Sequence, residues 1–299
     1  TVDFDAARKW LTMCLEHHGD ACGSLIRPAT ENLKLIDCQT RLVVNAKKED
    51  DYLALSYTWG DAGEVTRKEQ QQDVSFLQLP IQFPETILDA IKVTQQLGYR
   101  YLWVDAYCVD RTWADFHDQL RQMDAIYHNA VLTIVGAAGS GPRYGLPGVG
   151  HRRRAFPQVQ IGQYSLSPAL PVPEIDTRNC AWATRAWTFQ EGLLSTRRLL
   201  FTEEQVYFEC RRHHCTEILD LTVADIEKSR LTSPLQGVGH KGLFPVDGCG
   251  KHPWDIYSRI TEYSSRELSY EGDILNGILG VFRAFERKQH PIRHFWGVP

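Results

Sequence analysis

Trp187 and Glu191 stand four positions apart in Arg185-Ala-Trp-Thr-Phe-Gln-Glu191. On a helix that spacing puts both side chains on one face. An indole and a carboxylate so placed can stack on a nucleotide ring and face its ribose. Cleaving an N-glycosidic bond builds positive charge on the sugar through an oxocarbenium-like transition state. A fixed carboxylate stabilises that charge and holds a ribose hydroxyl. A second account fits the same residues. Thr188-Phe-Gln-Glu191 matches a capping box, with Thr188 as N-cap and Glu191 at N3 reaching back to its amide. Trp187 is then the apolar residue before the cap. Residue types alone favour the cap, because helix starts outnumber catalytic glutamates.

Asp105 closes one apolar run, and Trp59-Gly60-Asp61 follows another. If both runs are parallel strands of an open sheet, Trp59, Asp61 and Asp105 line the crevice at the strands' carboxyl ends, where such sheets bind ligands. The alternatives are core packing for Trp59, a tight turn at Gly60, and a side-chain cap on the following turn for Asp105. Arg185 offers a two-pronged guanidinium to a substrate phosphate, or an internal bridge to Glu191 or Asp105.

Cys14-x-x-His17-His18-x-x-x-Cys22 and Arg211-Arg-His213-His214-Cys215 carry metal-ligand residue types. Their spacing fits no standard zinc finger, and residues 6–16 read as an amphipathic helix. Core cysteines and surface histidines are therefore expected, with no bound zinc; a Cys-His nucleophilic pair stays open, with nothing local to sharpen it. Gly136-Ala-Ala-Gly-Ser-Gly141 lacks the lysine of a phosphate-binding loop and the spacing of a dinucleotide loop.

The elements that must position these residues alternate. Tyr52–Tyr57, Tyr101–Asp105 and Ala130–Val135 are short, nearly continuous apolar runs, as in strands covered on both faces. Pro84-Glu-Thr86 opens a helix through Ile87, Ala90 and Ile91 that Gly98 closes. A second helix is expected from about Trp113 to Tyr127. Strand–helix alternation implies a doubly wound, mainly parallel sheet. Residues 137–183, rich in Gly and Pro, are an excursion from it. Arg197–Phe201 and Gln205–Glu209 read as a hairpin, residues 221–253 as loop, and Tyr257–Phe285 as helical with a break near Gly272.

The bulk numbers narrow the class. The chain has 299 residues, 43% hydrophobic and 23% charged, with a formal charge of −4. That is ordinary globular composition, without the basic surplus of a general nucleic-acid binder. The basic run His151-Arg-Arg-Arg154 reads as a solvated loop. No apolar stretch approaches the roughly 20 residues that span a bilayer, and no signal peptide is expected at the start. Eight scattered cysteines do not form a dense disulfide framework, so reduced thiols and a cytoplasmic location are expected.

Several blocks resemble, in order, the fungal heterokaryon-incompatibility (HET) domain: Tyr52-Leu-Ala-Leu-Ser-Tyr-Thr-Trp-Gly60, Leu97-Gly-Tyr-Arg-Tyr-Leu-Trp-Val-Asp-Ala-Tyr-Cys-Val-Asp110, Gln122-Met-Asp-Ala-Ile-Tyr-His-Asn-Ala130, Arg185–Glu191, and Leu193–Phe201 with Gln205–Cys210. Weaker likeness runs through Tyr257–Leu268 to Phe295-Trp-Gly297. Arg111 departs from the glutamine usual after Asp110, and the chain stops where family members usually continue. The organisation implied is an N-terminal helical and extended segment (1–48), an α/β core (49–215) and a loop-rich, helical extension of the same domain (216–299).

HET domains are distantly similar to Toll/interleukin-1 receptor (TIR) domains, which have a flavodoxin-like α/β fold. Some TIR domains cleave NAD⁺ with a helix-borne glutamate preceded by a tryptophan-containing motif, which Arg185–Glu191 resembles. The resemblance brings the two accounts of Glu191 level. It implies an effector of non-self recognition and programmed cell death. One form cleaves NAD⁺ as substrate, without a cofactor, using Glu191 as the essential carboxylate and Trp59, Asp61, Asp105, Arg185 and Trp187 around the substrate. The other is a non-enzymatic signalling module that self-associates or docks death-pathway proteins.

Overall fold

The computed structural model describes residues 1–23, 30, 32–60, 83–109, 119, 121–154, 159–166, 177, 180–217 and 242–299. In chain order the elements begin with α1 (Phe4–His17), α2 (Gly19–Cys22), β1 (Lys34–Asp37), β2 (Leu42–Asn45) and β3 (Tyr52–Ser56). Then come α3 (Glu85–Gln96), β4 (Tyr101–Trp103), α4 (Asp105–Cys108), α5 (Met123–Asn129), β5 (Leu132–Gly136), β6 (Val159–Ile161) and β7 (Tyr164–Leu166). The chain continues with α6 (Ala181–Thr184), α7 (Ala186–Leu194), β8 (Arg197–Phe201), β9 (Val206–Cys210) and β10 (His214–Thr216). It ends with α8 (Asp255–Ser264), two short 3-10 turns (Glu271–Asp273, Asn276–Ile278) and α9 (Leu279–Glu286).

The three apolar runs become β3, β4 and β5, adjacent and parallel in one eight-stranded sheet of order β10-β9-β8-β5-β3-β4-β1-β2. β8 joins β5 in parallel, and the remaining neighbours are antiparallel. The parallel core β4-β3-β5-β8 therefore runs second, first, third, fourth in chain order. This is the doubly wound, flavodoxin-like order, which reverses direction between its first and third strands. Here the reversal falls between β3 and β5.

Register divides the sheet into two faces, because successive strand residues point to opposite sides. Leu53 and Leu55 pair with Leu132 and Ile134, and Leu199 faces Phe208. Trp10 of α1 packs its ring 6.4 Å from that of Phe208, so α1 covers this side. The other face is polar for a buried surface: Ser56, Thr133, Arg198 and Glu209 lie on it, all at most 3% exposed. α5, α6 and α7 cover it, placing Trp182, Tyr127, Glu191 and Ser195 against those groups. A second apolar cluster ties α7 to α8 and α9 through Phe189, Tyr263, Phe282 and Phe285.

The expected helix after Pro84 forms as α3, and Gly98 ends it with φ +86°, a backbone that other residues reach only with strain. The expected 113–127 helix is represented by α5, residues 113–118 lying outside those described. The 197–209 hairpin forms as β8 and β9. The C-terminal helical stretch breaks near Gly272 into the 3-10 turns. β1 and β2, not foreseen as strands, extend the same sheet beyond β4. Among the described residues no helix is long and apolar enough to cross a membrane.

Candidate functional site

Glu191 lies midway along α7, a helix held at both ends. At its start, the amide of Ala186 donates to the Glu267 carbonyl at 2.9 Å, and the Arg266 guanidinium donates to the Arg185 carbonyl at 3.2 Å. At its end, the buried guanidinium of Arg198 donates to the carbonyls of Gly192, Leu193 and Ser195. Those groups have no partner within the helix, and a cation there also opposes the negative end of the helix dipole. Burial pushes the Arg198 pKa down to about 10, and the nearby Glu209 carboxylate works against that fall. Between the ends, the Gln190 carboxamide oxygen accepts from the amide of Gly280 at 3.2 Å.

The capping-box account of Glu191 fails. The helix begins at Ala186 with Arg185 as N-cap, so Thr188 stands inside the first turn. Its hydroxyl donates backwards, to the carbonyls of Trp182 and of Arg185, the latter at 2.9 Å. Glu191 instead points into the sheet. Ser56, the last residue of β3, donates to Glu191 Oε2 at 2.5 Å, and Trp182 Nε1 donates to Ser56 Oγ at 2.7 Å. Tyr127 also lies against Glu191; its hydroxyl reaches the Leu55 carbonyl at 3.1 Å, and its ring meets Trp103 edge-on with centroids 5.3 Å apart. Glu191 is thus seated where β3 ends, at the reversal of strand order.

Electrostatics follow from that seat. Burial pushes the Glu191 pKa from 4.5 up to about 8, and the negative charge of Asp105 adds to the rise. The hydrogen bonds from Ser56 and Tyr127 and the positive charge of Arg185 pull the other way. A carboxyl with a strongly raised pKa, buried at a ligand-binding end of a sheet, has the profile of a functional group.

Asp105 opens α4 just past the end of β4. Its Oδ2 accepts from Trp59 Nε1 at 3.0 Å, and its Oδ1 accepts from the amide of Ala106 at 2.7 Å. Asp105 thus stands at the carboxyl end of a parallel strand, with its side chain taking up the first free amide of the turn that follows. Trp59, half-buried, packs its ring against the main core while its nitrogen holds Asp105. The two lie at the same end of the sheet as Glu191. Gly60 turns the chain with φ +75°.

Trp187 shares α7 with Glu191, as their spacing requires, and its ring packs against the main core. Its indole nitrogen donates to Asp273 Oδ2 at 3.4 Å, so it reaches the 3-10 turn after α8. The Arg185 guanidinium donates to Ser269 Oγ at 3.5 Å and acts on Glu191 by charge. Asp61, Asp110 and Arg111 lie outside the described residues. In the basic run, Arg152 and Arg153 are exposed as expected, whereas Arg154 pairs with Glu217.

Ser56, Trp182 and Tyr127 were not singled out by sequence. Ser56 did carry a signal: it is a hydroxyl at the end of an otherwise apolar five-residue strand, and it is fully buried. The expected core cysteines and surface histidines divide. Cys14 and Cys22 are buried and His17 is exposed, but His18 is only 6% exposed.

No curated protein and no solved structure matches the chain. A family model described as heterokaryon incompatibility protein (HET) matches residues 52–191, from the first residue of β3 to Glu191 itself. Residues 52–191 are a heterokaryon-incompatibility (HET) domain.

Proposed function

We propose that this chain is an effector of heterokaryon incompatibility that acts in programmed cell death by hydrolysing the nicotinamide N-glycosidic bond of NAD⁺. The observation that carries the proposal is the Ser56–Glu191 contact: a buried carboxyl with raised pKa, seated at the switch point of a doubly wound sheet. The likeness of Arg185–Glu191 to the TIR-domain motif supports the same reading.

In this reaction the bond between ribose C1′ and the nicotinamide nitrogen breaks. Both electrons leave with nicotinamide, whose ring loses its positive charge, while positive charge develops on the ribose. Water adds to C1′ and releases a proton, giving ADP-ribose. Glu191 acts as its carboxylate, stabilising the developing charge and holding a ribose hydroxyl. The cationic nicotinamide ring helps to produce that form, because a nearby positive charge favours ionisation. Ser56 and Trp182 fix the carboxyl's position, and Asp105 with Trp59 forms the neighbouring wall. Glu191 is covered in the unliganded chain, at 5% exposure, so substrate entry requires displacement of the surrounding segments. Self-association in the cytoplasm is the proposed trigger.

The test is direct. Concentrated protein, alone and induced to assemble, is incubated with NAD⁺, and free nicotinamide is followed over time. Release that depends on Glu191 supports the proposal. No release in either state transfers the function to a non-enzymatic signalling module.

A further inference from the structure

Cys14, His18, Cys22 and Cys210 bring their ligand atoms within 4.8 Å of one another, and all four are buried. Cys14 is on α1, His18 at the α1–α2 junction, Cys22 on α2 and Cys210 at the end of β9. From this cluster we infer that the chain holds one structural zinc ion in a Cys3His site, reversing the expectation of no bound zinc.

The geometry suits zinc. With Zn–S bonds of about 2.3 Å and Zn–N bonds of about 2.0–2.1 Å, a tetrahedron places its sulfurs about 3.8 Å apart and nitrogen about 3.6 Å from sulfur. His18 Nδ1 lies 3.5 Å from Cys210 Sγ. The donor set is soft and closed, which favours zinc over calcium or magnesium and suits a structural site rather than a catalytic one.

The surroundings are arranged for thiolates. Cys210 Sγ accepts backbone N–H bonds from Arg212 at 3.4 Å and His213 at 3.3 Å. Arg197 Nε donates to Cys14 Sγ at 3.1 Å, while its other nitrogens hold the carbonyls of Val131 and Cys22. The His213 ring packs 4.9 Å from that of His18. Second-layer contacts of this kind orient ligands and offset their charge.

The spacing explains why finger patterns miss the site. Cys14, His18 and Cys22 follow each other at helical intervals of four, and Cys210 lies 192 positions beyond His18. Zinc here fastens the N-terminal helices to β9. All four ligands lie outside residues 52–191, so the inference stands apart from NAD⁺ hydrolysis.

The test is metal analysis of the full chain, expressed with zinc, purified reduced and without chelator. The expected result is about one zinc per chain, with cobalt substitution giving the strong visible absorption of tetrahedral thiolate coordination. Cys210→Ser and His18→Ala should lose most of the metal, and Cys108→Ser should keep it. Arg197→Met should weaken binding about tenfold or more. If the ligand variants do not fold, wild type still decides: chelation should release zinc and lower its melting temperature. A wild type that takes up neither zinc nor cobalt after reduction overturns the inference. So does a disulfide within the four, or metal retained by Cys210→Ser and His18→Ala alike.

Discussion

Ser56 and Glu191 are 135 positions apart in the chain and 2.5 Å apart in the fold. One ends the first parallel strand, and the other lies on the helix that precedes the fourth. Their contact joins the two halves of the doubly wound core at the point where ligands enter such sheets. It also separates a structural role for Glu191 from a chemical one, because hydrogen bonding and charge can be removed independently.

Glu191→Gln keeps an oxygen to accept from Ser56 and removes only the capacity for charge. Its melting temperature should stay close to wild type at about pH 4, where Glu191 holds its proton in the folded and the unfolded chain. Nicotinamide release should fall a hundredfold or more, the usual cost of losing an electrostatic stabiliser of a transition state, about 3 kcal/mol of barrier. Melts and turnover on one preparation check this; wild-type turnover in Glu191→Gln would remove the carboxylate from the mechanism.

Stability should respond to pH through the same group. An acid whose folded pKa is raised binds its proton more tightly in the folded state. Its contribution is therefore full below the unfolded value of 4.5 and is lost as pH rises toward about 8. Within that window the loss approaches about 1.4 kcal/mol per pH unit. Glu191→Gln cannot ionise, so it should melt progressively higher relative to wild type from pH 4.5 to about pH 8. A constant difference across that range would contradict the raised pKa.

Two substitutions should move the rate profile in opposite directions. In wild type, kcat/KM for nicotinamide release should climb with pH toward about 8, since it reports the free enzyme's ionisation. Ser56→Ala removes a bond that favours the carboxylate, so the limb should shift to higher pH. It also leaves Trp182 Nε1 without its acceptor, at a cost of about 1–3 kcal/mol of stability. Asp105→Asn removes a repelling charge while keeping an oxygen for Trp59, so its limb should shift to lower pH. Stopped assays across pH 5–10 measure both, and shifts of the same sign would refute the assignment.

Arg198→Met should destabilise the fold by about 3 kcal/mol or more. It strips the carbonyls of Gly192, Leu193 and Ser195 of their donor and leaves the buried Glu209 without its nearby cation. Lysine should rescue little, because a single ammonium cannot reproduce the planar fork. Urea melts of the two variants are the measurement.

Sequence legibility followed the range of the forces involved. β3, β4, β5 and α3 were readable because burial on both faces produces continuous apolar runs, and a left-handed helix end requires Gly98. Glu191 was readable as a candidate but not in its environment, since Ser56, Tyr127 and Trp182 reach it through tertiary packing alone. The capping box misled because Thr188 has two carbonyls behind it to satisfy, those of the adjoining α6 and of Arg185. Trp187 and Glu191 share a helix as their spacing requires, but the indole's bond to Asp273 is a tertiary contact that spacing does not reveal. The Cys-His cluster was partly visible: three of its residues are local, and the fourth, Cys210, ends a strand 192 positions beyond His18.

The arrangement of the sheet sets the stretch that matches the family apart from the unit that folds. Residues 52–191 hold only three of its eight strands, β3, β4 and β5. A chain cut to those limits would present β4 and β5 as raw edges, with the ladders to β1 and β8 unmade and Leu102, Leu132 and Ile134 behind them. Open apolar edges of that kind recruit other chains. It would also lose Arg198, and with it the anchor at the end of the Glu191 helix. The family match stops at Glu191; cooperative folding has to continue past it, through the hairpin that shields the last parallel strand.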